Sequence, residues 1–179
     1  MTLKLFAFIV RQSVAPMFNR LSVCLFACLL ATSAAAQPPV IFLVRHTERA
    51  AISGHVPSDT GLSAAGRARA RDLAETLKDA KITAIYTSEY KRTQETAAPL
   101  AQSSGIRPEV VSADDFRSLV AKIRAARGNV LVIGHSNTLP QIINALGAPA
   151  RVSVAESDYD NLFLIMHGPE PQLIHLHYR

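Results

Sequence analysis

The sequence predicts an α/β domain whose mostly parallel sheet is covered by helices. Short apolar runs rich in β-branched residues alternate along the chain with segments whose apolar residues recur every three or four positions. Strands and helices that alternate in this way are typical of parallel sheets. No repeat, low-complexity linker or internal domain boundary interrupts the pattern after residue 36. We therefore expect one domain over residues 37–179, which is long enough for a single hydrophobic core.

Six short segments are predicted to be strands. Continuous apolar runs, such as the one at 40–44, indicate strands that are buried on both faces of a sheet. Weaker segments complete the sheet and close it at the end of the chain. The predicted strands occupy residues 40–44, 82–87, 110–111, 130–133, 162–166 and 173–177.

Four amphipathic segments lie between the predicted strands. Apolar or small residues recur at helical spacing from Leu62 to Leu77, and Ser63 is placed to cap this helix. Residues 89–102 predict a second helix. A third predicted helix contains residues 116–123. A fourth runs from Leu139 to Leu146, and Gly147 is placed to end it. These four helices alternate with the predicted strands.

Residues 1–36 have the layout of a cleaved secretory signal peptide. They contain three basic residues and no acidic one, followed by an apolar run at 21–30 and by small residues at 34–36. The apolar run is shorter than the roughly 20 residues that span a bilayer, so cleavage is favoured over a retained anchor. Met17 is an alternative start to Met1. The protein is thus expected to be periplasmic or secreted, with no stable membrane association after cleavage.

The cysteines and much of the positive charge belong to this leader. Both cysteines, Cys24 and Cys28, precede residue 37, so the predicted domain can form no disulfide and no cysteine metal site. Three of the 19 basic residues also lie in the leader, against 14 acidic residues that all follow it. The remaining charge is close to balanced and does not indicate nucleic-acid binding.

Basic side chains lie at the ends of three predicted strands. Arg45 and His46 follow the first strand, His135 follows the strand at 130–133, and Arg92 falls in the first turn of the helix after the second strand. Ligands of parallel sheets bind at the carboxyl ends of the strands, so these four side chains are expected to share one pocket. Guanidinium groups match phosphate oxygens, a neutral imidazole can act as a nucleophile, and a protonated one can stabilise an anion. An anion site is therefore one hypothesis beside the structural roles that each residue could have alone.

Four segments resemble motifs of the histidine phosphatase superfamily, which is also called phosphoglycerate mutase-like. Residues 43–48 (LVRHTE) resemble its first histidine motif, and 86–97 (YTSEYKRTQETA) are similar to its Ser-x-x-x-Arg-x-x-x-Thr-Ala segment. Residues 132–136 (VIGHS) resemble its second histidine motif, and 59–66 (DTGLSAAG) its helix entry. The order matches the family, and the absence of long inserts is most similar to the compact SixA-type members.

The resemblance implies a three-layer α/β/α sandwich and a phosphomonoesterase without metal or other cofactor. His46 would accept the phosphoryl group, and Arg45, Arg92 and His135 would form the phosphate pocket. The substrate would be a phosphorylated small molecule or a phosphoprotein; neither its identity nor the oligomeric state can be read from the sequence. Thr47 stands where the family more often has glycine.

The general acid has no clear match to the family pattern. Asp114, Asp115 and Glu48 are the candidates, although Asp115 or Asp114 could instead cap the helix that contains Phe116, and Glu48 could be a surface turn residue.

Other functions are compatible with parts of the sequence. Residues 134–138 partly fit the nucleophile elbow of serine hydrolases, with Ser136 as nucleophile, but Thr138 replaces the final glycine and the arginines are left without a role. A non-catalytic phosphate-binding protein on the same fold is a further alternative.

His175 and His177 share one face of a predicted strand. A position at the rim of the site is favoured for them over a role as metal ligands. A mutase is disfavoured because the short chain lacks inserts that would close the pocket.

Overall fold

The computed structural model describes residues 38–51, 59–148, 151–166 and 168–178; the predicted signal peptide lies outside these residues. All predicted elements are present, and their ends differ from the prediction by at most two residues. The strands are β1 (Val40–Arg45), β2 (Ile82–Thr87), β3 (Glu109–Val110), β4 (Asn129–Gly134), β5 (Asn161–Met166) and β6 (Gln172–His177). The helices are α1 (Ala64–Leu77), α2 (Lys91–Ser104), α3 (Phe116–Ala125) and α4 (Thr138–Ala145).

The six strands form one sheet in the order β3-β2-β4-β1-β5-β6. The four strands from β3 to β1 are parallel, whereas β5 is antiparallel to β1 and β6 is antiparallel to β5. The connection between β5 and β6 is too short for the crossover that a parallel pair needs, so these strands form a hairpin. The predicted, mostly parallel sheet is confirmed, with an antiparallel edge.

Alternate residues of β1 face two separate hydrophobic cores. Ile41 and Leu43 pack in one core, with side chains of α3 and α4 such as Ile123 and Ile142. Phe42 and Val44 pack in the other, which α1 and α2 cover with four buried side chains, Leu73, Leu77, Ala97 and Leu100. Helices therefore cover both faces of the sheet, and the three-layer α/β/α sandwich is confirmed. None of the described helices is long and apolar enough to cross a membrane.

Helix α1 begins close to the end of β1. The hydroxyl of Ser63 accepts a hydrogen bond from the Gly66 backbone N–H at 3.0 Å, which confirms the predicted cap. The backbone N–H of Ser63 donates to the Glu48 carbonyl at 2.9 Å. A Cβ atom on Gly66 would lie 2.1 Å from the Glu48 carbonyl oxygen, so only glycine allows this approach. The contact fixes helix α1 against the segment that follows β1.

Candidate active site

Neighbouring strand ends bring the four basic residues of the sequence motifs into one pocket. Arg45 of β1 pairs in register with Gly134 of β4, and the backbone N–H of His46 donates to the Gly134 carbonyl at 3.0 Å. His46 and His135 therefore follow adjacent strands. Twelve of the described residues line the pocket between them: Arg45, His46, Arg49, Tyr90, Arg92, Ala113, Asp114, His135, Ser136, Asn137, Thr138 and Glu156.

His46 is buried and carries a defined lone pair. Its side-chain Nδ1 lies 2.8 Å from the backbone carbonyl oxygen of Thr47. Because a carbonyl oxygen only accepts, Nδ1 carries the proton and Nε2 keeps its lone pair. Burial, with smaller contributions from the positive charges of Arg45 and Arg92 and from the neighbouring His135, lowers the pKa of His46 to about 4. The imidazole is thus neutral at pH 7, as a nucleophile must be.

Thr47 connects the His46 segment to two helices. Its backbone N–H donates to the hydroxyl of Thr96 in α2 at 3.0 Å, and its own hydroxyl donates to the Gly66 carbonyl in α1 at 2.9 Å. The Thr96 hydroxyl in turn donates to the Arg92 carbonyl at 2.7 Å. Threonine in place of the more usual glycine therefore adds a buried hydrogen bond, and these bonds tie the His46 segment to the helix that carries Arg92.

His135 is held from behind by a hydroxyl that the motifs did not single out. Its Nε2 lies 3.1 Å from the Ser88 hydroxyl, which lies 3.0 Å from the Thr93 hydroxyl. Burial, followed by the positive charge of Arg92, lowers the pKa of His135 to about 4. His135 is therefore neutral in the free protein at pH 7. A dianion bound in the pocket would raise the pKa of His135 again. It would thereby favour the protonated imidazole, which can stabilise an anion.

Arg45 is fixed by the loop that precedes β5. Its guanidinium is almost fully buried; Nη1 donates to the Ala155 carbonyl at 3.0 Å, and Nη2 pairs with the Glu156 carboxylate at 2.6 Å. The ring of Tyr159 lies 4.4 Å from the guanidinium carbon. The sequence motifs do not reveal Glu156 or Tyr159. An antiparallel pairing of β5 with β1 would have placed this loop beside Arg45, but the sequence does not specify that direction.

Arg92 completes the cationic wall of the pocket. Its guanidinium carbon lies 4.2 Å from the centre of the Tyr90 ring. Burial lowers the pKa of Arg92, but an arginine stays charged at any working pH. The Nε atoms of both Arg45 and Arg92 are buried and have no hydrogen-bond acceptor among the described residues. An oxyanion in the pocket would bring hydrogen-bond acceptors to these two cations. The phosphate-binding role of Arg45 and Arg92 stays a prediction.

The three carboxylates predicted as candidates for the general acid have different partners and positions. Asp115 caps α3, since its carboxylate accepts a hydrogen bond from the Ser118 backbone N–H at 3.1 Å. Glu48 pairs with Arg69 of α1 at 2.8 Å and does not line the pocket. Asp114 does line the pocket. The structure thus gives Asp115 and Glu48 structural roles, keeps Asp114 as a candidate acid, and adds Glu156.

The geometry does not support a serine hydrolase or a metal site. The Ser136 hydroxyl donates to Glu156, and no histidine in the described part of the chain is bonded to it. His175 Nε2 lies 2.7 Å from Asn161 Oδ1, and its ring stacks on Phe163. His177 pairs with Asp160 at 3.2 Å. Within residues 38–51, 59–148, 151–166 and 168–178, no cluster of histidine, cysteine or acidic residues could hold a metal ion.

Comparison with protein families finds a match to the same superfamily that the sequence motifs resemble. The model of the histidine phosphatase superfamily (branch 1) matches residues 41–119, a stretch that includes Arg45, His46 and Arg92 and ends before His135. No curated protein sequence matches the chain.

Similar solved structures share the fold at low sequence identity. The protein histidine phosphatase SixA, solved with tungstate, is 19% identical with a TM-score of 0.62, over 77% of this chain and 96% of SixA. A mycobacterial glucosyl-3-phosphoglycerate phosphatase is 16% identical with a TM-score of 0.61, over 78% of this chain and 98% of that enzyme. Its complex with inorganic phosphate has a TM-score of 0.59 at 16% identity, over 77% and 95% of the two chains. The comparison supports the phosphoglycerate mutase-like fold.

Proposed function

We propose that this chain, whose residues 41–119 match the model of the histidine phosphatase superfamily, is an exported phosphomonoesterase with a phosphohistidine intermediate on His46. The observation that carries the proposal is the state of His46. Its Nδ1 is committed to the Thr47 carbonyl and its pKa is lowered to about 4, so Nε2 is an unprotonated nucleophile. Two arginines share the pocket with it. A neutral nucleophile beside two fixed cations is what phosphoryl transfer to histidine requires.

The pocket supports a two-step reaction. Arg45 and Arg92 bind the phosphoryl oxygens, and His46 Nε2 attacks phosphorus as the leaving oxygen departs in line. His135 takes up a proton beside the bound dianion and donates a hydrogen bond to it, while Ser88 supports its other side at Nε2. Water then attacks the phosphohistidine and releases inorganic phosphate. Positioning and charge stabilisation by fixed groups supply most of the rate enhancement in such transfers.

The substrate is proposed to be a phosphomonoester or a phosphoprotein. The pocket lies open at the sheet edge, and the described residues around it include no large insert that would enclose a small substrate. SixA is by name a protein histidine phosphatase, and the mycobacterial enzyme is by name a sugar-phosphoglycerate phosphatase. Both classes of substrate are compatible with an open phosphate pocket, and water has free access to the intermediate, which favours hydrolysis over a mutase reaction.

A substrate panel tests this function. The full-length protein is incubated with sugar phosphates, nucleotides, aryl phosphates, phosphohistidine protein and phosphoserine protein, and inorganic phosphate is measured. We expect release from at least one class, inhibition by vanadate, and a loss of at least a thousandfold in His46→Ala. Equal release by wild type and His46→Ala, or no release from any substrate, would contradict the proposal.

Export is proposed from residues 1–36, and its test is separate. The three basic residues, the apolar run and the small residues before Gln37 support cleavage after Ala36. The protein is expressed from its own start codon in a bacterial host, and the periplasmic fraction is collected. We expect a protein that begins at Gln37. A full-length protein in the cytosol would contradict export without affecting the proposed reaction.

A further inference from the structure

We propose that Glu156 is the acid–base residue of this site: it protonates the leaving oxygen and then takes the proton of the attacking water. The inference rests on the proposed function and deepens it, because neither the motifs nor the family match, which ends at residue 119, assigns this residue a role. Glu156 belongs to the loop before β5, and it reaches the pocket only because β5 runs antiparallel to β1.

The depth of the two side chains places Glu156 on the leaving-group side. His46 is 5% exposed and lies at the floor of the pocket, whereas the side chain of Glu156 is 77% exposed and lies at the mouth. In-line displacement requires the leaving oxygen to be opposite the nucleophile. A nucleophile at the floor therefore directs the leaving group toward the mouth, where the Glu156 carboxylate lines the pocket.

Two contacts hold the Glu156 carboxylate in place despite its exposure. One oxygen accepts a hydrogen bond from the Ser136 hydroxyl, and the other pairs with Arg45 Nη2 at 2.6 Å. Asp114, the other carboxylate in the pocket, has no side-chain hydrogen bond among the described residues. A proton-transfer group needs a fixed position relative to the reacting oxygen. The two contacts make Glu156 the better placed of the two carboxylates.

The bond between Arg45 and Glu156 also explains how the proton is gained. The Ser136 hydrogen bond and the charges of Arg45, His46 and Arg49 lower the pKa of Glu156, so it is ionised in the free protein. A phosphate monoester has a second pKa of about 6, so part of it enters as the monoanion with one proton. When a phosphoryl oxygen also accepts hydrogen bonds from Arg45, the guanidinium charge is shared between the two anions and the Glu156 carboxylate becomes more basic without leaving its position. The proton of the substrate then passes to Glu156.

The complete cycle balances without another reactant. In the first step the lone pair of His46 Nε2 forms the N–P bond, the bond from phosphorus to the leaving oxygen breaks, and the Glu156 proton converts that oxygen to an alcohol. In the second step the Glu156 carboxylate removes a proton from water, the water oxygen forms the new P–O bond, and the N–P electron pair returns to His46. Glu156 ends protonated, and one ester and one water give one alcohol and one phosphate.

The dependence of the rate on the leaving group tests this role. Glu156→Gln is compared with wild type on 2,4-dinitrophenyl phosphate, whose leaving group needs no proton, and on glycerol phosphate, whose leaving group does. General acid catalysis contributes about 10²–10⁴-fold, so we expect kcat on glycerol phosphate to fall at least a hundredfold. On the dinitrophenyl ester, single-turnover measurements give the rate constant of phosphohistidine formation. This rate constant should be less than about tenfold lower in Glu156→Gln than in wild type. Asp114→Asn tests the competing carboxylate of the pocket, and any change in its rate should be of the same size on both esters.

Each other outcome refutes the assignment. Equal losses on both esters would show that Glu156 only positions Arg45, and no loss on either would show that it has no role in proton transfer. A selective loss in Asp114→Asn would transfer the role to Asp114. A wild-type protein inactive on both esters, and on the wider panel, would instead overturn the proposed function, and this inference with it.

Discussion

The imidazole rings of His46 and His135 lie 5.4 Å apart, close to edge-on, although they follow different strands. Burial is the main reason that the pKa of each lies at about 4, and the neighbouring arginines lower both further. Two neutral imidazoles thus face a pocket with a cationic wall. In the proposed reaction, proton uptake at His135 offsets the charge that develops on the phosphoryl group, while His46 stays available as the nucleophile.

The lowered pKa values of the two histidines predict a loss of stability in acid. In the unfolded chain each has a pKa near 6.5, so between about pH 6.5 and 4 the unfolded state binds more protons than the native state. The free energy of unfolding should be highest above pH 6.5 and should fall as the pH decreases toward 4, by up to about 1.4 kcal/mol per pH unit for each histidine. Urea unfolding at pH 7, 6 and 5 measures this.

The variant His135→Asn isolates the contribution of one histidine. Carboxylates also titrate at the lower end of this pH range. The informative quantity is therefore the difference between wild type and variant in how steeply the free energy of unfolding falls with pH. We expect a shallower decline for the variant. The same slope in both proteins would show that His135 titrates alike in the folded and unfolded states.

Replacement of Arg92 by lysine should weaken the affinity for vanadate by about ten- to a hundredfold. A lysine ammonium cannot form the bidentate contact of a guanidinium or keep the same stacking on Tyr90, and hydrogen bonds to charged groups contribute about 1.5–3 kcal/mol. The inhibition constant of vanadate with an aryl phosphate substrate is the measurement. Arg71→Lys, on the exposed side of α1, is the control and should match wild type. An unchanged inhibition constant of vanadate in Arg92→Lys would show that Arg92 does not bind the phosphoryl group.

Gly66→Ala should destabilise the protein although alanine favours helices. In an exposed helix this change would stabilise by up to about 1 kcal/mol. Here the new Cβ would lie 2.1 Å from the Glu48 carbonyl oxygen, and overpacking of this kind costs about 1–3 kcal/mol. The displaced segment includes Thr47, so activity should fall as well. Gly168→Ala, where no atom lies within 4 Å, is the control for chemical denaturation. A stabilised Gly66→Ala variant would contradict the close contact.

Much of the fold and the centre of the site could be predicted from the sequence, because both depend on local patterns. Buried parallel strands have continuous apolar runs, and the rule that ligands bind at strand ends then brings His46, Arg92 and His135 together. The cap at Ser63 is equally local. Gly66 belonged to the predicted helix face, but the reason for a glycine there is its contact with Glu48, which no spacing in the sequence reveals.

The parts that the sequence did not predict depend on pairing between distant segments. The direction of β5 is decided by its pairing with β1, and this pairing brings Glu156 and Tyr159 to Arg45. The contact between Ser88 and His135 likewise depends on the adjacency of β2 and β4. Exposed carboxylates follow no periodic pattern, so only the structure separates the cap Asp115 from the residues that line the pocket.

The phosphoenzyme is the most direct test of the central claim. The full-length protein is mixed with a ³²P-labelled phosphodonor that it hydrolyses, quenched within milliseconds and digested, and the labelled peptide is identified. We predict one phosphoryl group on His46, labile in acid and stable in base, that is absent from His46→Ala and still formed, more slowly, in His135→Ala. Label on Ser136 or another residue, or steady hydrolysis by His46→Ala at the wild-type rate, would contradict the account.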